Sequence, residues 1–189
     1  MKKTIGYCLT GSFCTFSKSI KQIEKLTDSG FNVIPILSYN TQSTDSRFGK
    51  AEDFKAQVEE ITMNKALCTI EEVEPIGPKK LLDLLIISPC TGNTIGKLAN
   101  GIYDTPVTMS AKSHIRNERP VLIGVSTNDA LRGSAKNIGL LLNSRHYYFI
   151  PMGQDNPESK PFSVVCDFDR TLEAAEKALD GIQIQPLLI

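Results

Sequence analysis

Four short apolar runs in this chain break off into small hydroxyl or amide residues, and helix-like segments separate them. The runs are Ile5 to Leu9, Phe31 to Leu37, Asp83 to Ile87 and Pro120 to Val125. They end in Thr10-Gly11-Ser12, Ser38, Ser88 to Thr94, and Ser126-Thr127-Asn128. Apolar runs of this length bounded by turn residues read as buried strands. Strands alternating with helices predict an α/β fold, a single-domain, doubly wound parallel sheet flanked by helices. The C-terminal ends of such strands share one sheet edge, and ligands bind there.

The helical segments cover about Thr15 to Ser29, with Gly30 as the stop, Ala51 to Met63, Thr105 to Arg116, Ala130 to Leu142, and Asp169 to Leu179. A further strand is expected over His146 to Ile150. Tyr39 to Gly49 reads as a polar loop, and Glu71 to Lys80 as an irregular link. Pro151 to Pro157 is too rich in turn residues to be regular. After Ile87 the chain is expected to turn at Pro89 and open a helix rich in small and hydroxyl residues. That segment reads either as an ordinary capped helix or as a ligand site, since Thr and Asn serve both.

A chain of 189 residues is long enough for one full core. With 21 basic and 21 acidic residues, charge gives no case for nucleic acid or an anionic membrane. No apolar run approaches the roughly 20 residues that span a bilayer. Met1-Lys2-Lys3-Thr4 leads into a strand-like run rather than a signal-peptide core. Five scattered cysteines without a C-x-x-C pair suit reduced thiols in the cytoplasm. Cys90 is read as a packed thiol, with a reactive loop thiol as the alternative. His114 and His146 are read as surface or internally satisfied residues, and no metal site is expected.

Gly11 lets the backbone approach a ligand, and Ser12 stands where a helix begins, an arrangement that suits a phosphate. The first turn lacks G-x-G-x-x-G, and Ser38-Tyr39-Asn40 supplies no acidic residue for a ribose. A single phosphate fits better, as in a mononucleotide such as FMN. No G-x-x-x-x-G-K-[ST], H-E-x-x-H or G-x-S-x-G motif is present. Arg47, in Ser46-Arg47-Phe48-Gly49, is the candidate for a substrate carboxylate, because the guanidinium fork matches it in bidentate fashion. Lys112 and Arg119 read as parts of a solvated face.

Ser88-Pro89-Cys90-Thr91-Gly92-Asn93-Thr94, with Lys97-Leu98-Ala99-Asn100-Gly101 and Asp104, resembles a known signature. It is the Ala-Pro-Ala-Thr-Ala-Asn-Thr…Lys-Leu-Ala-Asn-Gly…Asp pattern of the FMN-binding cysteine-decarboxylase-like flavoproteins. Thr10-Gly11-Ser12 also fits that family, and the resemblance spans essentially the whole chain. It implies a Rossmann-like fold, FMN, and a homo-oligomer, usually a trimer or dodecamer. Thr10, Gly11 and Ser12 would then hold the phosphate end. Ser38, Ser88, Thr91, Asn93 and Thr94 would serve the cofactor's remaining polar groups. Asn128 would orient substrate or flavin as the catalytic residue.

Within the family, further loops resemble those of one member from spore-forming bacteria that works as part of a two-protein enzyme. They are Arg47-Phe48-Gly49, Ile115-Arg116-Asn117, Ser126 to Leu131 and Gly153 to Pro157. That likeness implies an oxidoreductase acting on a small dicarboxylate with an NAD(P)-binding partner, in the cytoplasm of a sporulating mother cell. The decarboxylases' His-Ile pair before the third strand reads Pro75-Ile76 here. Their Pro-Ala-Met-Asn motif reads Val125-Ser126-Thr127-Asn128. Histidine-dependent decarboxylation of a cysteine is therefore not expected. A catalytically silent partner, or a stand-alone flavin decarboxylase or prenyl-transferring enzyme, are the alternatives.

Overall fold

The computed structural model describes residues 2–189. Its elements run β1 (Thr4–Leu9), α1 (Phe16–Asp28), β2 (Asn32–Leu37), α2 (Tyr39–Ser43), α3 (Ala51–Thr62), α4 (Ile70–Val73) and β3 (Leu84–Cys90). They continue α5 (Gly92–Ala99), α6 (Pro106–Ile115), β4 (Val121–Thr127), α7 (Ala135–Leu142), β5 (Tyr147–Phe149), β6 (Met152–Asn156), β7 (Lys160–Cys166) and α8 (Thr171–Leu179). Strands β2, β1, β3, β4 and β5 are parallel neighbours in that order. This is the doubly wound arrangement expected from the alternation of strands and helices. The chain reverses its direction of travel at β1 and β3, so α1 and α5 leave the sheet on opposite faces. Helix α1 packs with α3 and α8, whereas α5 packs with α6 and α7.

The central strands are buried on both faces, which is why they read as continuous apolar runs. Leu84 to Ile87 and Val121 to Ile123 are fully enclosed. Each such aliphatic side chain contributes about 1.5–3 kcal/mol of burial. They belong to one continuous core that also takes in Ile23, Val107 and Phe149.

The structure corrects the sequence reading at four places. The chain does not turn at Pro89. Strand β3 continues to Cys90, with one extra residue relative to β4: Ile87 pairs Ile123, but Cys90 pairs Val125. Helix α5 then starts at Gly92, with Thr91 as its N-cap. Second, the expected polar loop contains α2, capped by the Ser38 hydroxyl, which accepts from the Thr41 N–H at 3.2 Å. Third, the expected irregular link contains α4, held by a capping box between Thr69 and Glu72. Fourth, the sheet is mixed. Residues read as an irregular loop form β6, which pairs antiparallel with β7, and β7 pairs antiparallel with β4. Short β5 covers only Val121 to Ile123 of β4. The edge it leaves open at Ser126 and Thr127 is taken by Val165 and Val164 of β7.

Candidate functional site

The ends of β1, β3 and β4 open into a cleft of about 1060 Å³ at the C-terminal edge of the parallel strands. It lies at the switch point between β1 and β3, where a sheet of this winding binds its ligand. Thr10 joins the two strand ends from beneath. Its hydroxyl donates to the Pro89 carbonyl at 2.7 Å and accepts from the Thr91 N–H at 3.1 Å. The turn after β1 reaches past β3, and the Ser12 and Ser126 hydroxyls are hydrogen-bonded at 2.9 Å.

Two helical starts face this cleft without a side-chain cap: the 3-10 turn at Phe13–Thr15, which leads into α1, and α5. The first N–H groups of a helical turn have no carbonyl of their own to meet, so uncapped ends present donors to a ligand. On the floor beside α5, the Asp129 carboxylate accepts from the Thr127 hydroxyl at 2.6 Å and from the Ser134 hydroxyl at 2.8 Å. These two donors hold its carboxyl below the ordinary carboxylate range. Gly92 makes this packing possible. A Cβ there would stand 2.6 Å from Ser134 Oγ, 2.7 Å from Thr127 Oγ1 and 2.8 Å from Asp129 Oδ1.

Arg47 and Phe48 form the tip of a tight turn closed by reciprocal backbone bonds between Ser46 and Gly49 at 3.0 and 3.1 Å. The Arg47 guanidinium lies 4.9 Å from the Phe48 ring centroid, and both side chains line the cleft. On the far side, the β6–β7 hairpin contributes Asp155 and Lys160, paired at 2.5 Å.

Of the residues singled out from the sequence, Gly11, Ser12, Arg47, Thr91, Asn93 and Asn128 line the cleft together. The other four stand behind or beside it. Thr10 and Thr94 are buried, with Thr94 Oγ1 3.3 Å from Thr91 Oγ1. Ser38 caps α2. Ser88 is fully buried, 3.9 Å from Cys166 Sγ, and a Cβ on Gly124 would collide with it. Cys90 is enclosed and its thiol is pushed far up by burial, as a packed thiol should be. His114 is buried, and its Nε2 lies 3.0 Å from the Pro120 carbonyl.

Sequence reasoning assigned no role to Phe13, Lys18, Phe48, Asp129, Ser134 or Asn137, all of which line the cleft. Phe48 and Asp129 fall inside motifs that were already conspicuous, and Lys18 follows the first turn by one helical turn. Nothing in the sequence marks Ser134 or Asn137. The lining is hydroxyls, amides, free N–H groups, two aromatic rings, the Arg47 and Lys18 cations, the Lys160–Asp155 pair and the Asp129 carboxylate. It matches a ligand with a phosphate, a polyol and a flat ring bearing polar edges. Among the described residues no helix is long and apolar enough to cross a membrane, and no cluster of metal ligands is present.

The chain matches the Flavoprotein family over residues 1–176. It is 44% identical over 187 residues to the B subunit of dipicolinate synthase from Bacillus subtilis (strain 168), covering 99% of this chain and 94% of that protein. The crystal structure of the dipicolinate synthase B subunit from Bacillus halodurans C superposes with a TM-score of 0.91 at 42% identity, over 100% of this chain and 98% of that one. Burkholderia xenovorans DmrB, solved in complex with FMN, shares the fold at a TM-score of 0.71 and 18% identity, over 95% and 97% of the two chains. By sequence over nearly its whole length and by fold, the chain belongs to the flavoprotein family.

Proposed function

We propose that this chain is the B-type, FMN-holding component of a dipicolinate synthase. With a partner of the A type it would oxidise a dihydrodipicolinate-type precursor to dipicolinate during sporulation, in the mother-cell cytoplasm. The observation that carries the reading is the cleft itself. Uncapped helical starts, hydroxyls and amides converge at the β1/β3 switch point in a chain 44% identical to the B subunit of a dipicolinate synthase.

Aromatising a dihydropyridine removes one hydride and one proton from the ring. FMN, when bound, supplies a two-electron acceptor, and NAD(P) on the A-type partner is the further acceptor in this reading. The protein's work is binding and orientation. Gly11, Ser12 and the N–H groups of Phe13 and Cys14 hold the phosphate. Thr91 and Asn93 bond polar groups of the ribityl chain or ring, with Thr10 and Thr94 fixing Thr91. Phe13 and Phe48 offer apolar faces to the ring system. Arg47 takes a substrate carboxylate as a bidentate partner, and Asn128 orients substrate or flavin from the end of β4. Ser38 and Ser88 act by shaping the strand ends. A homo-oligomer, trimeric or dodecameric, completes the reading.

The test mixes this chain with its A-type partner and follows dipicolinate formation. Turnover should require both chains, and Asn128→Ala should lose most of it while keeping flavin. Turnover by the A-type partner alone, or an unaffected Asn128→Ala variant, would overturn the assignment.

A further inference from the structure

The cleft is electrostatically two-sided. Arg47 and Lys18 line it, and among the described residues neither is in an ion pair, whereas Lys160 is neutralised by Asp155 at 2.5 Å. Lys18 stands on α1, and Arg47 at the end of the sheet nearest β2. Asp129 stands at the opposite side, after β4 and against the first residue of α5. It too has no cationic partner among the described residues. Both of its hydroxyl neighbours point their protons at the same carboxylate oxygen, at 2.6 and 2.8 Å. A hydroxyl that has spent its proton offers only lone pairs to anything else. Thr127 and Ser134, which also line the cleft, therefore present acceptors, backed by a full negative charge.

From this we propose that Asp129 is a specificity-determining residue. It refuses anionic groups on the α5 side of the cleft and admits only an uncharged edge of the ligand there. A bound ligand must then carry its carboxylates or phosphates toward Arg47 and Lys18 and turn an uncharged edge to Asp129. The ligand class is thus an anion charged at one end only. On the dipicolinate reading, on which this identification of the ligand rests, the 2,6-carboxylates face the cations and the remote C4 edge faces Asp129. Like charges brought together in a partly enclosed site are strongly disfavoured, which is how such a residue selects.

The test titrates the full chain and its Asp129→Asn variant with pyridine-2,6-dicarboxylate and with pyridine-2,4,6-tricarboxylate at low salt. The wild type should bind the tricarboxylate more weakly than the dicarboxylate. Asp129→Asn should improve the tricarboxylate relative to the dicarboxylate by roughly tenfold, a gain that shrinks as salt is added. Asp129→Ser, smaller and equally neutral, repeats the measurement if the amide disturbs the fold. A merely structural residue would move both affinities together, so an unchanged ratio overturns the proposal. If the wild type binds neither pyridine, with or without FMN and the A-type partner, the dipicolinate reading fails, and inorganic phosphate becomes the probe for Asp129. Tighter phosphate binding by Asp129→Asn then supports the proposal, and unchanged or weaker binding overturns it.

Discussion

His114 is kept neutral by burial. Desolvation lowers its pKa from 6.5 to about 4, even though the Pro120 carbonyl favours the protonated ring. Because the folded value lies below the unfolded one, the unfolded chain binds more protons between them. The stabilisation is complete above pH 6.5 and is lost as pH falls toward 4. The difference between pH 7 and 5 amounts to about 2 kcal/mol. Urea unfolding of the wild type should show that extra loss on acidification, and His114→Gln should lack it. Equal losses in the two proteins would contradict the assignment. Asp129 follows the same sign from a different cause. Hydroxyl donors depress it, so its contribution is present above the ordinary carboxylate range and fades as pH falls through its lowered value. Gly92 is the other residue on which the site depends locally. Gly92→Ala would drive a methyl into Ser134, Thr127 and Asp129. It should cost about 1–3 kcal/mol of stability and weaken flavin retention. Wild-type melting and wild-type flavin binding in that variant would show that the packing yields more easily than its geometry suggests.

At the level of elements, the strand ends do the positioning. Thr10 ties β1 to β3 through two buried or half-buried hydrogen bonds. Thr10→Val keeps the shape but leaves the Pro89 carbonyl and the Thr91 N–H without that partner. Denaturant unfolding should register a loss of about 1–3 kcal/mol, and a variant within experimental error of wild type would refute the tie. Four of the five parallel strands were legible because each is a short apolar run that ends in small polar residues. The antiparallel hairpin was not. Met152 to Asn156 contains Gly, Gln, Asp and Asn, a turn composition that pairing with β7 overrides, since its outer residues face solvent. Phe162 to Cys166 did carry a strand-like run that went unread. Thr69-Ile70-Glu71-Glu72 likewise carried a capping-box pattern ahead of α4. The continuation of β3 through Pro89 could not be read locally, because a proline after a strand is ordinarily a turn signal. It survives there as part of an irregularity in the pairing with β4.

For the molecule as a whole, the winding of the sheet decides where a ligand can go, and the loops decide what that ligand is. The order β2-β1-β3-β4 brings residues 11, 47, 91 and 128 to one edge although they are scattered through the sequence. That convergence was foreseeable once the strands were recognised, and six of the ten residues singled out do line the cleft. The other four were chosen for their place at strand ends, and side-chain direction cannot be read from that. Ser88 turns into the space over Gly124, and Ser38 turns back to cap α2. The cleft's charge asymmetry was equally hidden, because Lys18, Arg47 and Asp129 lie on three separate connections.

The central claim is that this cleft holds a flavin mononucleotide, and the purified chain itself tests it. The chain would be incubated with FMN, freed of unbound ligand by centrifugal filtration, and examined for visible flavin absorption. Retained, stoichiometric flavin is the predicted result, diminished in Gly92→Ala. A folded chain that emerges colourless, alone and with its A-type partner, would contradict the claim and leave a protein that has kept the fold without the cofactor.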